Sequence, residues 1–274
     1  MLRTIAVAAM LLFPQSIFAE DLAWEKDWKE AFRIARTQHK LVFVDFYADW
    51  CGPCRMMESS VFPAPQVQER LREYVLLRID VERRLPPGLR VNVRGLPTYQ
   101  IYDFAERERF TFLGAMKAES FVQILDLARE ATPFILRAAE LFQDKNELQA
   151  WTELAKGYSR ARLSERSRDA WAKSRRVAES QGDAETAQIA AINGAFTWVI
   201  DGQAAQTVKI LKNIATTPVN KDTEALCWFT MGQAHVLAGN TAEARAAFEK
   251  TRTLVAEDHA LAKQAAAALG ELAR

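Results

Sequence analysis

Hydrophobic positions follow two periods in the first half of the chain and one in the second. In "LAWEKDWKEAFRIARTQHK" (22–40), Trp24, Trp28, Phe32, Ile34 and Ala35 recur at helical spacing, which predicts an amphipathic helix. "LVFVDFY" (41–47) is a continuous apolar, β-branched run, as expected of a strand buried on both faces. An amphipathic helix follows toward Leu71, with an interruption expected near Pro63 and Pro65. "YVLLRIDVE" (74–82) reads as a second buried strand, and the turn-rich "RRLPPGLRVNVRGLP" (83–97) leads to the strands "TYQIYDF" and "RFTFLG". "ESFVQILDLAREA" (119–131) then closes this half as a helix. The order β-α-β followed by β-β-α combines a crossover unit with an antiparallel hairpin, and so a mixed sheet flanked by helices.

After about Thr132 strand-like runs nearly vanish, Ala becomes dense, and amphipathic helices follow one another. Such a segment invites a search for repeats. Trp228, Met231, Gly232, His235, Gly239, Ala244 and Phe248 fit the small/large spacing of a tetratricopeptide repeat. Gly194, Gly202 and Pro218 fall near corresponding positions one repeat earlier, and Trp151, Leu154, Ala155, Tyr158 and Trp171 earlier still. The offset is about 38 residues against about 34 for an ideal repeat, so the resemblance is to a degenerate array, with "ALAKQAAAALGELAR" as its cap. Stacked hairpins of this kind imply a surface for a peptide or helix ligand.

Composition narrows the partners. Lys and Arg number 36 against 35 Asp and Glu in 274 residues, a formal charge of +1. That balance gives no field of one sign for nucleic acid or an anionic membrane. The basic clusters "ERRLPPGLR" and "RARLSERSRDAWAKSRR" read as solvated faces. The start, "MLRTIAVAAMLLFPQSIFAE", has a positive residue at Arg3, an apolar run of about 9 residues and a small residue at Ala19. That run is too short to span about 30 Å of hydrocarbon. The expected organisation is therefore a signal peptide over 1–19, an α/β domain over 20–131 and an all-α helical-hairpin repeat domain over 132–274, exported to the periplasm.

Only three cysteines are present, Cys51, Cys54 and Cys227, too few for a disulfide scaffold. Cys51 and Cys54 as half a zinc site would need two further ligands, and only Cys227 and three scattered histidines remain. A CxxC that opens a helix suits electron transfer. Free N–H groups and the helix dipole stabilise a thiolate on Cys51, and Cys54 sits one turn on, placed to attack a mixed disulfide. Pro53 lacks an N–H that the first turn cannot pair anyway. Cys51 is thus the expected nucleophile and Cys54 the resolving thiol.

"VDFYADWCGPC" with "RGLPT" downstream resembles the thioredoxin family, over residues 22 to about 131. The resemblance implies an α/β thioredoxin fold and a thiol-disulfide oxidoreductase. It implies a buried carboxylate at Asp45 that moves a proton to or from Cys54, and Trp50 covering the site. It also implies a cis-proline at Pro97 facing the disulfide, with Leu96 pairing its backbone with an extended substrate. The lysine that the family often carries near the buried acid is matched by Leu76, with Arg78 two residues on. "AWEKDW" and "FYADWCGPCRMMES" are closer to the exported domain of the disulfide-interchange reductases than to small cytosolic thioredoxin. The Gly-Pro dipeptide matches the reducing type, near about −270 mV, rather than DsbA near about −120 mV. The expected partners are disulfide-containing exported proteins and a membrane thiol-disulfide reductase as electron donor. No nicotinamide or flavin motif is present, so no cofactor is expected. The competing expectation is an adaptor, in which the repeats bind and the thioredoxin-like part only docks.

Overall fold

β2 (Val42–Tyr47) organises the first half through its alternation. Val42, Val44 and Phe46 pack on one face with Trp28, Phe32 and Ala35 of α1 (Trp28–Gln38), while Leu41 and Phe43 belong to the core on the other face. A strand with both faces covered must be apolar throughout, which is why the run "LVFVDFY" is continuous. The structure, a computed structural model, describes residues 22–83 and 93–274. The expected leader, and most of the turn-rich segment before Pro97, lie outside the described residues.

The sheet has five strands in the order β1-β3-β2-β4-β5, adding β1 (Trp24–Glu25), β3 (Val75–Asp80), β4 (Thr98–Tyr102) and β5 (Glu108–Leu113). β1 and β2 run parallel to β3, whereas β4 is antiparallel to both β2 and β5. The β4–β5 turn is tied by Asp103. Its carboxylate accepts from the Ala105 and Arg107 amides at 2.9 and 3.1 Å and from Arg109 Nε at 2.9 Å. This is the expected mixed sheet flanked by helices, followed by an all-helical region.

Two expected boundaries shift. Trp24 lies in the edge strand β1, opposite Leu76, and not on the first helix. Its ring packs on Phe43 and Phe62, and Asp27 starts α1 by accepting the Glu30 amide at 2.8 Å. The helix expected to close at 131 instead runs as α4 (Ala118–Gln143) through Pro133. Phe121, Leu125, Ala128, Ala131, Ile135 and Ala138 line one continuous core on it, so burial outweighs the hydrogen bond that the proline removes.

The second half consists of α5 (Glu147–Arg160), α6 (Ser164–Ser180), α7 (Ala184–Phe196), α8 (Ala204–Ile214), α9 (Lys221–Leu237), α10 (Thr241–Leu254) and α11 (Ala260–Glu271). Consecutive helices pack on one another. α5, α7 and α9 begin at 147, 184 and 221, a step of 37 residues each time. Each start is capped by an Asx side chain, Asn146, Asp183 or Asn220. Two hairpins share a further device: buried Ser167 donates to the Ala155 carbonyl at 2.8 Å, and Thr207 to Ala195 at 2.9 Å. Cys227 is buried in the α7–α9 core and donates to the Leu211 carbonyl at 3.1 Å, and burial pushes its thiol up to about 12.

Candidate active site

The chain leaves β2 through buried Ala48 and turns at Asp49 and Trp50. The Cys51 amide closes that turn on the Ala48 carbonyl at 3.0 Å. Cys51 is then the N-cap of α2 (Gly52–Met56), with Pro53 in the first turn. Its Sγ accepts the Cys54 amide at 3.1 Å, so one unpaired N–H of the helix start points at sulfur. Cys51 and Cys54 are joined as a disulfide, the oxidised form of a dithiol.

Little of either residue is open to solvent: Cys51 is 2% and Cys54 4% exposed. They cluster with Ala48, Tyr47, Val81 and Leu96. The Leu96–Pro97 peptide bond is cis, and the Pro97 carbonyl accepts the Gly114 amide at 2.8 Å beyond the end of β5. Leu96, half-buried, is thereby held against the two cysteines. Trp50 stands apart from this cluster, 68% exposed, with its indole N–H donating to Glu82 at 3.1 Å.

Asp45 shares the face of β2 that carries Phe43 and is opposed across the sheet by Arg78 on one side and Tyr99 on the other. It is 2% exposed. Oδ2 accepts Arg78 Nε at 3.1 Å, whereas buried Oδ1 has no hydrogen-bond partner among the described residues. Asp103, the other buried aspartate, uses both oxygens, so Asp45 is the half-satisfied one. Burial pushes the Asp45 carboxyl up to about 7; the Arg78 cation opposes this and Glu58 adds to it. Burial likewise raises the Tyr99 phenol, whose hydroxyl has no partner among the described residues.

Arg78 links this interior to the surface. Its Nη1 donates to Glu58 at 2.7 Å, and its guanidinium carbon lies 4.3 Å from the Tyr47 ring centre and 5.7 Å from that of Trp24. Glu58 is carried by a π-helical turn, Met57–Val61, that continues α2. Leu76, at the position matched to the family lysine, is buried in the core, so Arg78 is the cation that meets the acid. Alternation along β3 placed Arg78 in reach of Asp45. No sequence signal identified Glu58, because a π turn breaks the helical count that assigns faces, nor Glu82.

The comparisons with known proteins fall on this same stretch. Residues 23–103 match the family model described as thioredoxin-like. By that match this stretch is similar to thioredoxin-like proteins. The thiol:disulfide interchange protein DsbD of Photorhabdus laumondii is 38% identical over 87 residues, which cover 30% of this chain and 15% of that protein. DsbD of Pseudomonas fluorescens is 39% identical over 107 residues, covering 37% and 18% respectively. The match thus spans less than a fifth of the length of either relative. Among solved structures, the oxidised C-terminal domain of DsbD from Neisseria meningitidis is 26% identical, covering 38% of this chain and 97% of that one, with a TM-score of 0.33. Among the described residues no helix is long and apolar enough to cross a membrane.

Proposed function

We propose that the protein is a thiol-disulfide oxidoreductase working in the reducing direction on exported proteins. The observation that carries this reading is the Cys51–Cys54 pair at the start of α2, with the Cys54 amide directed at Cys51 Sγ. In the reduced form that amide and the helix start favour a Cys51 thiolate. The thiolate attacks one sulfur of a client disulfide and forms a mixed disulfide; the other client sulfur leaves as thiolate and takes up a proton. Cys54 then attacks Cys51 Sγ, re-forms the intramolecular disulfide and releases the second client thiol. Two electrons pass from the dithiol to the client.

Asp45 takes the Cys54 proton in the second step, a role supported by its half-satisfied carboxyl and a proton affinity near neutrality. Leu96, held against the sulfurs by the Pro97 turn, is the edge that meets an extended client, and exposed Trp50, next to Cys51 in the chain, supplies further apolar contact area. A membrane thiol-disulfide reductase returns electrons to the dithiol, a reading prompted by the similarity to DsbD. Export through a cleaved leader over 1–19 belongs to the same proposal, and N-terminal sequencing of protein from its own host checks it. The helices from α5 onward are read as degenerate tetratricopeptide-like hairpins that hold clients or partners, supported by the 37-residue step of their capped starts.

Trapping tests the redox reading. With Cys54→Ala a mixed disulfide at Cys51 cannot resolve, so discrete covalent adducts are expected that vanish when Cys51 is also replaced. Insulin reduction should fall at least about a hundredfold in Cys51→Ser, because the nucleophile is gone. No adducts and no insulin reduction by the wild type would refute the oxidoreductase and leave the adaptor.

A further inference from the structure

Buried polar atoms in a folded chain find partners, so two orphans on one face of a sheet call for an explanation. Asp45 of β2 and Tyr99 of β4 stand directly opposite each other in antiparallel register. Residues paired in this way keep their Cβ atoms about 4.5–5.5 Å apart, with both side chains on the same face. Both residues are buried, Tyr99 completely. Among the described residues neither Asp45 Oδ1 nor the Tyr99 hydroxyl has a hydrogen-bond partner, so the two do not bond directly. The hydroxyl nevertheless lies in the field of the acid: the Asp45 charge adds to the rise of the phenol, and Arg78 opposes it.

The surroundings narrow what each orphan can meet. The Tyr99 ring is held by Phe43, Phe112 and Phe121, with ring centres 5.7, 5.1 and 5.3 Å away, and none of these carries a hydrogen-bonding atom. The charged groups that bear on Asp45 are Arg78 from β3 and Glu58 from the π-helical turn; in the reduced form the Cys54 thiol of α2 joins them. Arg78 Nε is spent on Oδ2 and Nη1 on Glu58, and Glu58 is itself an acceptor. The Tyr99 hydroxyl is the neutral donor that remains for Oδ1. A phenolic hydroxyl both donates and accepts. Through one water it donates toward the ionised carboxylate, and with the direction reversed it accepts from the protonated acid. Hydrogen bonds to a charged group are about twice as strong as neutral ones, so such a bridge favours the carboxylate.

We infer that Tyr99 is a positioning residue for Asp45: its hydroxyl, through one water shared with Asp45 Oδ1, holds the carboxylate ready to take the Cys54 proton. The inference rests on the base role given to Asp45 above, and its test reads the coupling separately from that role.

Tyr99→Phe removes the hydroxyl and keeps the ring, and the full chain gives two readouts. The first is the infrared carbonyl band of protonated Asp45, identified as the band that Asp45→Asn removes. In Tyr99→Phe it should lie at higher frequency, having lost a hydrogen bond, and should titrate about one pH unit higher, because the charged form has lost support. The second is insulin reduction against pH with dithiothreitol as electron source. Its acid limb should move up by about one pH unit, while the plateau rate stays within about twofold of wild type. Adding Tyr99→Phe to Asp45→Asn should leave the profile of Asp45→Asn unchanged. An Asp45 band unmoved in frequency and titration would overturn the inference. So would an activity loss equal at every pH, or one that persists beside Asp45→Asn. A urea midpoint for Tyr99→Phe above wild type at every pH would also overturn it, because the hydroxyl would then be a true orphan. If the band moves as expected but Asp45→Asn keeps the wild-type pH profile, the coupling stands and only the base role of Asp45 falls.

Discussion

Asp45 places a carboxyl group in the middle of a strand, between apolar Val44 and Phe46, and the consequence is measurable. Its proton affinity is raised from the ordinary carboxylate range to about 7 by burial. Between about pH 4 and 7 the unfolded chain has released a proton that the native chain still holds, so native stability falls as pH rises across that window and levels off above it. Asp45→Asn removes the titration. The variant should match wild type most closely near pH 4 and gain on it up to about pH 7, by on the order of 2–4 kcal/mol. Urea denaturation at several pH values checks this, and a difference independent of pH would rule out a buried ionisation at Asp45. Arg78 limits the effect, since its ion pair favours the charged acid. Arg78→Leu should therefore shift the pH at which stability levels off upward.

At the scale of elements, glycines report how closely the helices approach. A Cβ on Gly157 would lie 2.9 Å from the Phe134 Cβ and 3.4 Å from the Ala131 carbonyl, so α5 would have to move off α4. Gly157→Ala should cost about 1–3 kcal/mol. On Gly194 the nearest atom would be the Trp171 Cβ at 3.3 Å, a contact that small adjustments relieve. There the better helix propensity of Ala offsets the crowding, and Gly194→Ala should fall within about 1 kcal/mol of wild type. Thermal melts of the two variants distinguish the positions, and equal losses would mean that the helix spacing is not as described. Both glycines were visible in the sequence, but only the tight packing of α5 on α4 separates them.

In the whole molecule the two halves share a helix and a core. Phe110 of β5 packs against Tyr158 of α5 with ring centres 6.2 Å apart. Arg166 of α6 donates to the Arg109 carbonyl at 2.9 Å and to the Glu108 carboxylate at 3.0 Å, which covers the edge strand of the sheet. α4 therefore serves the sheet with one part of its length and the hairpin stack with the other. A fragment ending at residue 143 would expose Ile135, Ala138 and the outer side of β5. It should melt several degrees below the full chain and associate at high concentration. A fragment as stable and as monomeric as the full chain would show that the halves are independent.

The sequence by itself determined four of the five strands, the mixed order of the sheet, the change to helices after the first half and the pair Cys51 and Cys54. These follow from local periodicity, from turn and cap residues, and from a four-residue motif, all of which are short-range. Trp24 was misplaced because a two-residue edge strand is made by its partner, β3, and leaves no period of its own. The end of α4 was misplaced because Pro133 is a strong local breaker that only packing from both halves overrides. The tertiary structure alone decided that Arg78 joins Asp45 to Glu58, and that Trp50 faces solvent beside Glu82. Each of these depends on residues distant in sequence meeting at angstrom distances, which one-dimensional patterns do not encode.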